Sequence, residues 1–267
     1  MSVPEIFDRR ARQLRRRRTN GRGFFAETLA TDLLERLDTV RRKFSRALVI
    51  GHAPLLIERL EARKIKCTIY TDDEDRLDVG DAQFDLILSS GTLDTVADLP
   101  GALILMRRAL KPDGLLLANF AAAPGLAALR AAISIADADR AVARLHPQID
   151  VRSAGDLLMR AGFALPVADL ETMDVAYSSL ARLLEDLREG AATNVLATRY
   201  PVTRGWLANV ETAFMAQAGD TGRTHETLSY ITLTAWAPDP SQPRPAQRGS
   251  ASASLVDALR RTDDRGD

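Results

Sequence analysis

The chain has 267 residues, of which 46% are hydrophobic, enough for one generous domain with a sizeable core. Its 36 Lys and Arg balance its 36 Asp and Glu, so whole-molecule attraction to nucleic acid or anionic membrane is not expected. A single cysteine, Cys67, excludes an internal disulfide framework or a thiolate metal cluster, and fits a reducing compartment.

Residues 1–23 carry eight arginines: Arg9, Arg10, Arg12, Arg15, Arg16, Arg17, Arg18 and Arg22. A charge block of this kind predicts a solvated, partly helical arm; the sharper reading is an anchor for an acidic or anionic partner. No apolar h-region follows the arginines, so a signal peptide is not expected, and no apolar run is long enough to span a bilayer. Phe24, Leu29, Leu33, Leu34 and Leu37 recur at helical spacing and predict a helix over 24–43. Ala47 to Ile50 is a short apolar strand that ends at Gly51. Pro54 then opens a helix with the apolar stripe Leu55, Leu56, Ile57 and Leu60. Lys66 to Tyr70 is a second strand, followed by the acids Asp72, Asp73, Glu74 and Asp75. Phe84 to Leu88 is a third strand, 102–110 a helix, Pro112-Asp113-Gly114 its exit turn, and 115–120 a fourth strand.

Further on, 126–135 and 156–161 are helical, the latter stopped by Gly162, and extended runs cover 164–167 and 171–177. Helices are predicted over 180–187, ended by Gly190, and over 206–218. Leu228 to Trp236 is β-branched and aromatic, hence a strand, predicted near the sheet's edge. From Pro238 the composition turns to Pro, Ser, Gln and charge, an extended tail. The alternation of strands and helices predicts an α/β fold: a doubly wound sheet with a helical insertion and a late edge strand. The organisation is an Arg-rich arm over 1–23, a domain over 24–237 with a helical lid over 178–218, and a tail over 238–267.

In such a sheet the ligand binds at the carboxyl ends of the strands, where strand order reverses. Gly51, His52 and Ala53 form the first loop there. Pro54 removes a donor and Ala53 adds a methyl group where contact is closest, so a plain strand-to-helix turn remains open beside a cofactor loop. Asp72 or Asp73, after the second strand, suits the hydrogen bonds of ribose hydroxyls, although four adjacent acids also suit a solvated turn. Ser89, Ser90 and Gly91 suit a close-approach loop. No calcium-loop spacing, HExxH pair or GxSxG elbow is present, so no metal site and no catalytic residue is assigned. His52, His146 and His225 are scattered; His52 is the most interesting by position. Cys67, inside a strand, is expected to be a small core residue.

Phe7-Asp8-Arg9, Phe84 to Ser90, Asp98 to Leu103, Leu110-Lys111-Pro112-Asp113-Gly114, Leu158 to Phe163, Leu183 to Arg188 and Ser241 to Ala251 together resemble a known family. It is the class I methyltransferase-like family of the mitochondrial complex I assembly factor with arginine-hydroxylase activity. The chain is also similar to the malonyl-acyl-carrier-protein methyltransferase of biotin synthesis. The resemblance implies S-adenosylmethionine as cofactor, held by Gly51, His52, Ala53, Asp72, Asp73, Ser89, Ser90 and Gly91. It implies a protein substrate, an arginine side chain on a complex I subunit, and a bacterial cytoplasmic or mitochondrial matrix location. No nucleic-acid partner is expected. The chain departs from the family at the cofactor site. Gly51-His52-Ala53 stands where members have Gly-x-Gly, and Leu93-Asp94-Thr95 where they have an aromatic pair. About one strand and one helix are missing before Phe84, so 66–75 matches either the ribose-contacting or the adenine-contacting strand. The alternative is therefore a catalytically inactive methyltransferase-fold scaffold that has lost cofactor binding.

Overall fold

The computed structural model describes residues 5–138, 140 and 142–243. The tail beyond residue 243, with Arg244, Arg248 and most of the Ser241–Ala251 pattern, lies outside the described residues. Among those described there are eight α-helices and one six-stranded sheet. In chain order they are α1 (Arg9–Arg18), α2 (Phe24–Thr39), β1 (Arg46–Ile50), α3 (Pro54–Ala62), β2 (Lys66–Tyr70), β3 (Phe84–Ser90), α4 (Leu99–Ala109), β4 (Leu110–Ala121), α5 (Ala127–Asp137), α6 (Val151–Arg160), β5 (Ala164–Tyr177), α7 (Leu180–Glu189), α8 (Arg204–Met215) and β6 (Thr224–Trp236).

The strand order is β2-β1-β3-β4-β6-β5. The pairs among β2, β1, β3 and β4 are parallel, and β6 runs antiparallel to both β4 and β5. Strand order therefore reverses between β1 and β3, which places the carboxyl end of β1 at the switch point. Alternate residues of the central strands feed two cores. Leu48, Ile50, Ile87, Leu116 and Phe120 pack under α4 and α6. Val49, Leu86, Leu88, Leu115 and Leu117 pack under α2 and α3. A parallel strand covered on both faces reads as an unbroken apolar run, which is why 86–88 and 115–118 carry no polar residue. A third core joins α5, α7 and α8 through Leu129, Leu183, Val210 and Phe214.

Three expectations need correction. The late strand, β6, is not at the edge: hydrogen bonds to β4 and β5 cover both its sides, and the edge belongs to β5. The runs 164–167 and 171–177 are one strand, with a register shift between Ala164 and Val167 where Leu165 takes φ 49°. The helix ending at Gly162 begins at Val151, capped by the Asp150 carboxylate, which accepts from Ser153 N–H. β2 lies directly beside β1, and no strand lies beyond it among the described residues. It is poorly covered: Ile69 is 53% exposed, and Cys67 is half-buried instead of belonging to the core.

The Arg-rich segment is the largest departure. It is a capped helix, with the Asp8 carboxylate accepting from Ala11 N–H, and Arg12 is only 4% exposed. Arg9, Arg12 and Arg16, at spacings of three and four, lie along one face. Their acidic partner is the chain's own loop after β2, where Glu74–Arg76 forms a single 3-10 turn. Arg9 donates to both Asp75 oxygens at 2.6 and 2.7 Å. Arg12 reaches Glu74 at 2.7 Å and Asp73 at 3.3 Å, and Arg16 reaches Glu74 at 2.9 Å. The other side of α1 grips the loop between α7 and α8. Phe7 pairs with Leu196, Arg15 donates to the carbonyls of Thr193 and Asn194, and Asp8 N–H donates to Val195 O.

Phe120 is fully buried at the centre of the sheet. Phe120→Ala is expected to remove about 3–5 kcal/mol of stability, read as a lower denaturation midpoint with an unchanged slope. Glu74 is fully buried against Arg12 and Arg16, and neutralising one partner strands the others. Glu74→Gln is expected to cost roughly 3–5 kcal/mol, or about 10 °C in Tm by calorimetry. Burial pushes the Glu74 carboxyl up, but Arg16 and Arg12 more than reverse this and hold it below its ordinary range. The bidentate bond from Arg9 does the same for Asp75. A lowered folded pKa gives stability that is present above the unfolded value and lost as pH falls through the folded one. Hydrogen-exchange protection of α1 is therefore expected to hold at neutral pH and to collapse below about pH 4.

Candidate functional site

β1 stops at Gly51 because the chain must turn there: its φ of 95° suits only glycine, and its N–H donates to Tyr70 O at 2.9 Å. His52 is exposed, and Ala53 is buried at the head of α3. Ser89 is fully buried, its hydroxyl 2.9 Å from that of Thr92. Ser90 is half-buried, and Gly91 donates its N–H to Asn119 O at 2.8 Å. Asp72 is exposed at the lip, while Asp73 is buried and turned toward Arg9 and Arg12. The fold thus gathers Gly51, His52, Ala53, Ser90, Gly91 and Asp72 around one crevice. It spends Asp73 on α1 and Ser89 on an internal hydrogen bond.

The residues that fill the crevice are ones the sequence reading did not single out. The Arg12 guanidinium spans it, donating from Nε to Thr95 Oγ1 at 3.0 Å and from Nη2 to Thr92 O at 2.7 Å while its other side faces Asp73 and Glu74. Arg16 follows, bonding Glu74 and Thr92 O. Gly21, with φ 67°, lays its backbone on the first loop so closely that a β-carbon there would stand 2.3 Å from His52 O and 2.7 Å from Pro54 Cδ. The inner side of the Gly51 turn is also taken, since a β-carbon on Gly51 would meet Thr92 Cγ2 at 2.6 Å. The available signal was the stripe of Arg9, Arg12 and Arg16 together with the acidic run Asp72 to Asp75.

Two spaces remain on either side of α1. The inner one, bounded by Arg12, Phe25, Ser90, Gly91 and Asp94, measures about 60 Å³. The outer one, bounded by Gln13, Arg17, Gly51, His52, Thr71 and Asp72, measures about 290 Å³. S-adenosylmethionine is a single extended molecule that needs both a close-approach loop and a free acid. With α1 seated, the loop is covered by Gly21, and Asp73 and Glu74 are bound to guanidinium groups. The residues on the inner side do not fit the cofactor in this arrangement, while Gly51, His52 and Asp72 still border the outer space.

Behind the inner space, between sheet and insertion, lies a third cavity of about 260 Å³ with largely apolar walls. Asp94, Phe25, Ala121 and Ala192 line both. Burial pushes the Asp94 carboxyl up to about 6, opposed by Arg12 and Arg16. His146, also on the wall, accepts from Val195 N–H through Nε2 at 2.8 Å. Burial, with a smaller effect from Arg15, brings its pKa down to about 4, so the ring is neutral at pH 7. His225 is a surface residue 2.8 Å from Asp174. Among the described residues no cluster of His, Cys, Asp or Glu forms a metal site, and no helix is long and apolar enough to cross a membrane.

Comparison with known proteins agrees with this architecture. A family described as a methyltransferase domain matches residues 21–118. The mitochondrial arginine-hydroxylase NDUFAF5 of Danio rerio is 28% identical over 242 residues, covering 89% of this chain and 72% of the relative. The malonyl-[acyl-carrier protein] O-methyltransferase of Xylella fastidiosa is 31% identical over 224 residues, covering 81% of this chain and 74% of the relative. A Bacillus halodurans crystal structure superposes with a TM-score of 0.52 at 16% identity over 78% of this chain and all of the other, which speaks to the fold alone. With the switch-point crevice, the two-faced sheet and relatives of this similarity, the chain belongs to the Rossmann-like class I methyltransferase family that contains NDUFAF5 and malonyl-acyl-carrier-protein O-methyltransferase.

Proposed function

We propose that this member of the family works in respiratory complex assembly by binding a protein partner, of the kind of a complex I subunit, without methyl transfer. The observation that carries this reading is the Arg12 guanidinium held across the crevice between Asp73, Glu74 and the Thr92–Thr95 turn. The similarity to NDUFAF5 supports the assembly setting and a bacterial cytoplasmic or matrix-side location. In this reading α1 and 24–237 together are the folded unit, 178–218 covers the strand ends, and the tail from 238 adds contacts. α1 has become the occupant of the space that a cofactor takes in active members.

A second reading keeps an enzyme that uses S-adenosylmethionine to act on an arginine side chain or another group of a complex I subunit, with α1 displaced. The outer space beside Gly51, His52 and Asp72 favours it. The two are separated by calorimetric titration with S-adenosylhomocysteine. The first expects no binding up to millimolar ligand, in the wild type and in Arg16→Ala alike. Micromolar binding to the wild type overturns it. Binding gained only in Arg16→Ala, which joins the two spaces, establishes the second reading.

A further inference from the structure

The 260 Å³ cavity has a chemistry of its own. Leu129 of α5, Leu183 and Leu187 of α7, and Trp206 and Val210 of α8 wall it, with Phe25 on the side shared with the crevice. The polar groups on its wall are nearly all committed. Tyr177 donates to Asp186 at 2.7 Å, and Arg144 pairs with Asp137 at 2.6 Å while stacking 4.0 Å over the Trp206 ring. His146 is neutral and already bonded to Val195. Asp94, the Tyr200 hydroxyl and Gln148 Nε2 are the exceptions. Asp94 stands where the cavity meets the crevice, within reach of the Arg12 and Arg16 charges, and makes no hydrogen bond to another side chain among the described residues.

Tyr200, Val202 and Leu207 are exposed at the cavity's rim, so the space is an apolar pocket with an entrance from solvent, not a sealed void. A cavity of 150 Å³ lined by Leu, Ile and Phe is known to hold benzene, so by proportion this one holds about ten non-hydrogen atoms. A ligand carrying a carboxylate is disfavoured beside Asp94 and the apolar walls, and a guanidinium or ammonium would meet those walls and the charges of Arg12 and Arg16. A hydroxyl suits the place, since it donates to a carboxylate and leaves the rest of the molecule apolar.

We propose that this cavity binds an uncharged, mainly aromatic or aliphatic small molecule of about ten non-hydrogen atoms, with one hydroxyl group that donates to Asp94. The ligand class differs from the acid and the base that the relatives' names carry, and the site shares Phe25, Asp94, Ala121 and Ala192 with the crevice. Cavities of this lining, with one convergent polar group, are the usual form of a small-molecule site.

The test is fluorescence titration of the full chain with 2-naphthol. Saturable one-to-one binding is expected, with a rise in Tm. Naphthalene-2-carboxylate and 2-naphthylmethylamine are expected to bind at least about tenfold more weakly, and Asp94→Ala to weaken 2-naphthol about tenfold, the worth of one hydrogen bond to a charged group. Val210→Trp, which fills the cavity, is expected to abolish binding. Because that variant risks misfolding, Leu187→Trp on the half-buried wall provides a second filling variant, with circular dichroism as the check on both. Non-saturable binding overturns the proposal, as does equal affinity for the charged analogues. So does unchanged affinity in the folded filling variants, or competition by S-adenosylhomocysteine, which would put 2-naphthol in the crevice.

Discussion

The cluster of Arg9, Arg12 and Arg16 with Asp73, Glu74 and Asp75 is the interaction on which the rest of the molecule turns. Taking charges out of water is costly, and such a cluster persists only when Coulomb attraction and hydrogen bonds offset the loss of hydration. Here they do so from three sides. The acid loop supplies charge, the Thr92–Thr95 turn supplies a carbonyl and a hydroxyl, and the loop between α7 and α8 receives the other side of α1. One short helix thereby holds the ends of β2 and β3 and the insertion in fixed relation. The same contacts decide what the crevice can accept, because the acids of a cofactor site have become the acids of a structural one.

The sheet was largely legible from its residues because both of its faces are covered. Unbroken apolar runs such as Phe84–Leu88 and Leu115–Ala118 have few other uses in a chain of this composition. The interior position of β6 was less visible. An antiparallel strand that alternates Leu, Ser, Tyr, Ile, Thr and Leu looks the same at an edge as it does between β4 and β5, where Thr232 is buried and donates to Asp32. The site was legible in part for a similar reason. Gly51, Ser90 and Gly91 are fixed by backbone geometry, which leaves a local trace in the sequence. Asp73 and Arg12 are fixed by each other across 61 positions, and a stripe of arginines has the same spacing whether it faces water or a carboxylate. Asp94 was visible only as part of Leu93-Asp94-Thr95, the departure from the family's aromatic pair; its place between cavity and crevice is seen only in the folded neighbourhood.

Among the described residues β2 ends the sheet, and its outer flank leaves Ile69 exposed and Cys67 half-buried. Its exposed side presents unpaired backbone groups of the kind that invite edge pairing, limited by a length of five residues and by Lys66 at its start. With no further strand beyond β2 among the described residues, the acid loop after it turns toward the first helix.

The order in which α1 finds its partners has a consequence for biosynthesis. Its guanidinium groups bond to residues 61, 83 and 178 positions later in the chain, and Asp8 receives Arg199 across 191. The helix therefore completes its contacts only once residues as far as Arg199 have been made. Until then it is an unpaired cationic strip beside a nascent acidic loop, and closure of such distant contacts is slow. The contacts between the first helix and the insertion thus close on a domain whose strands β1 to β5 have already been made.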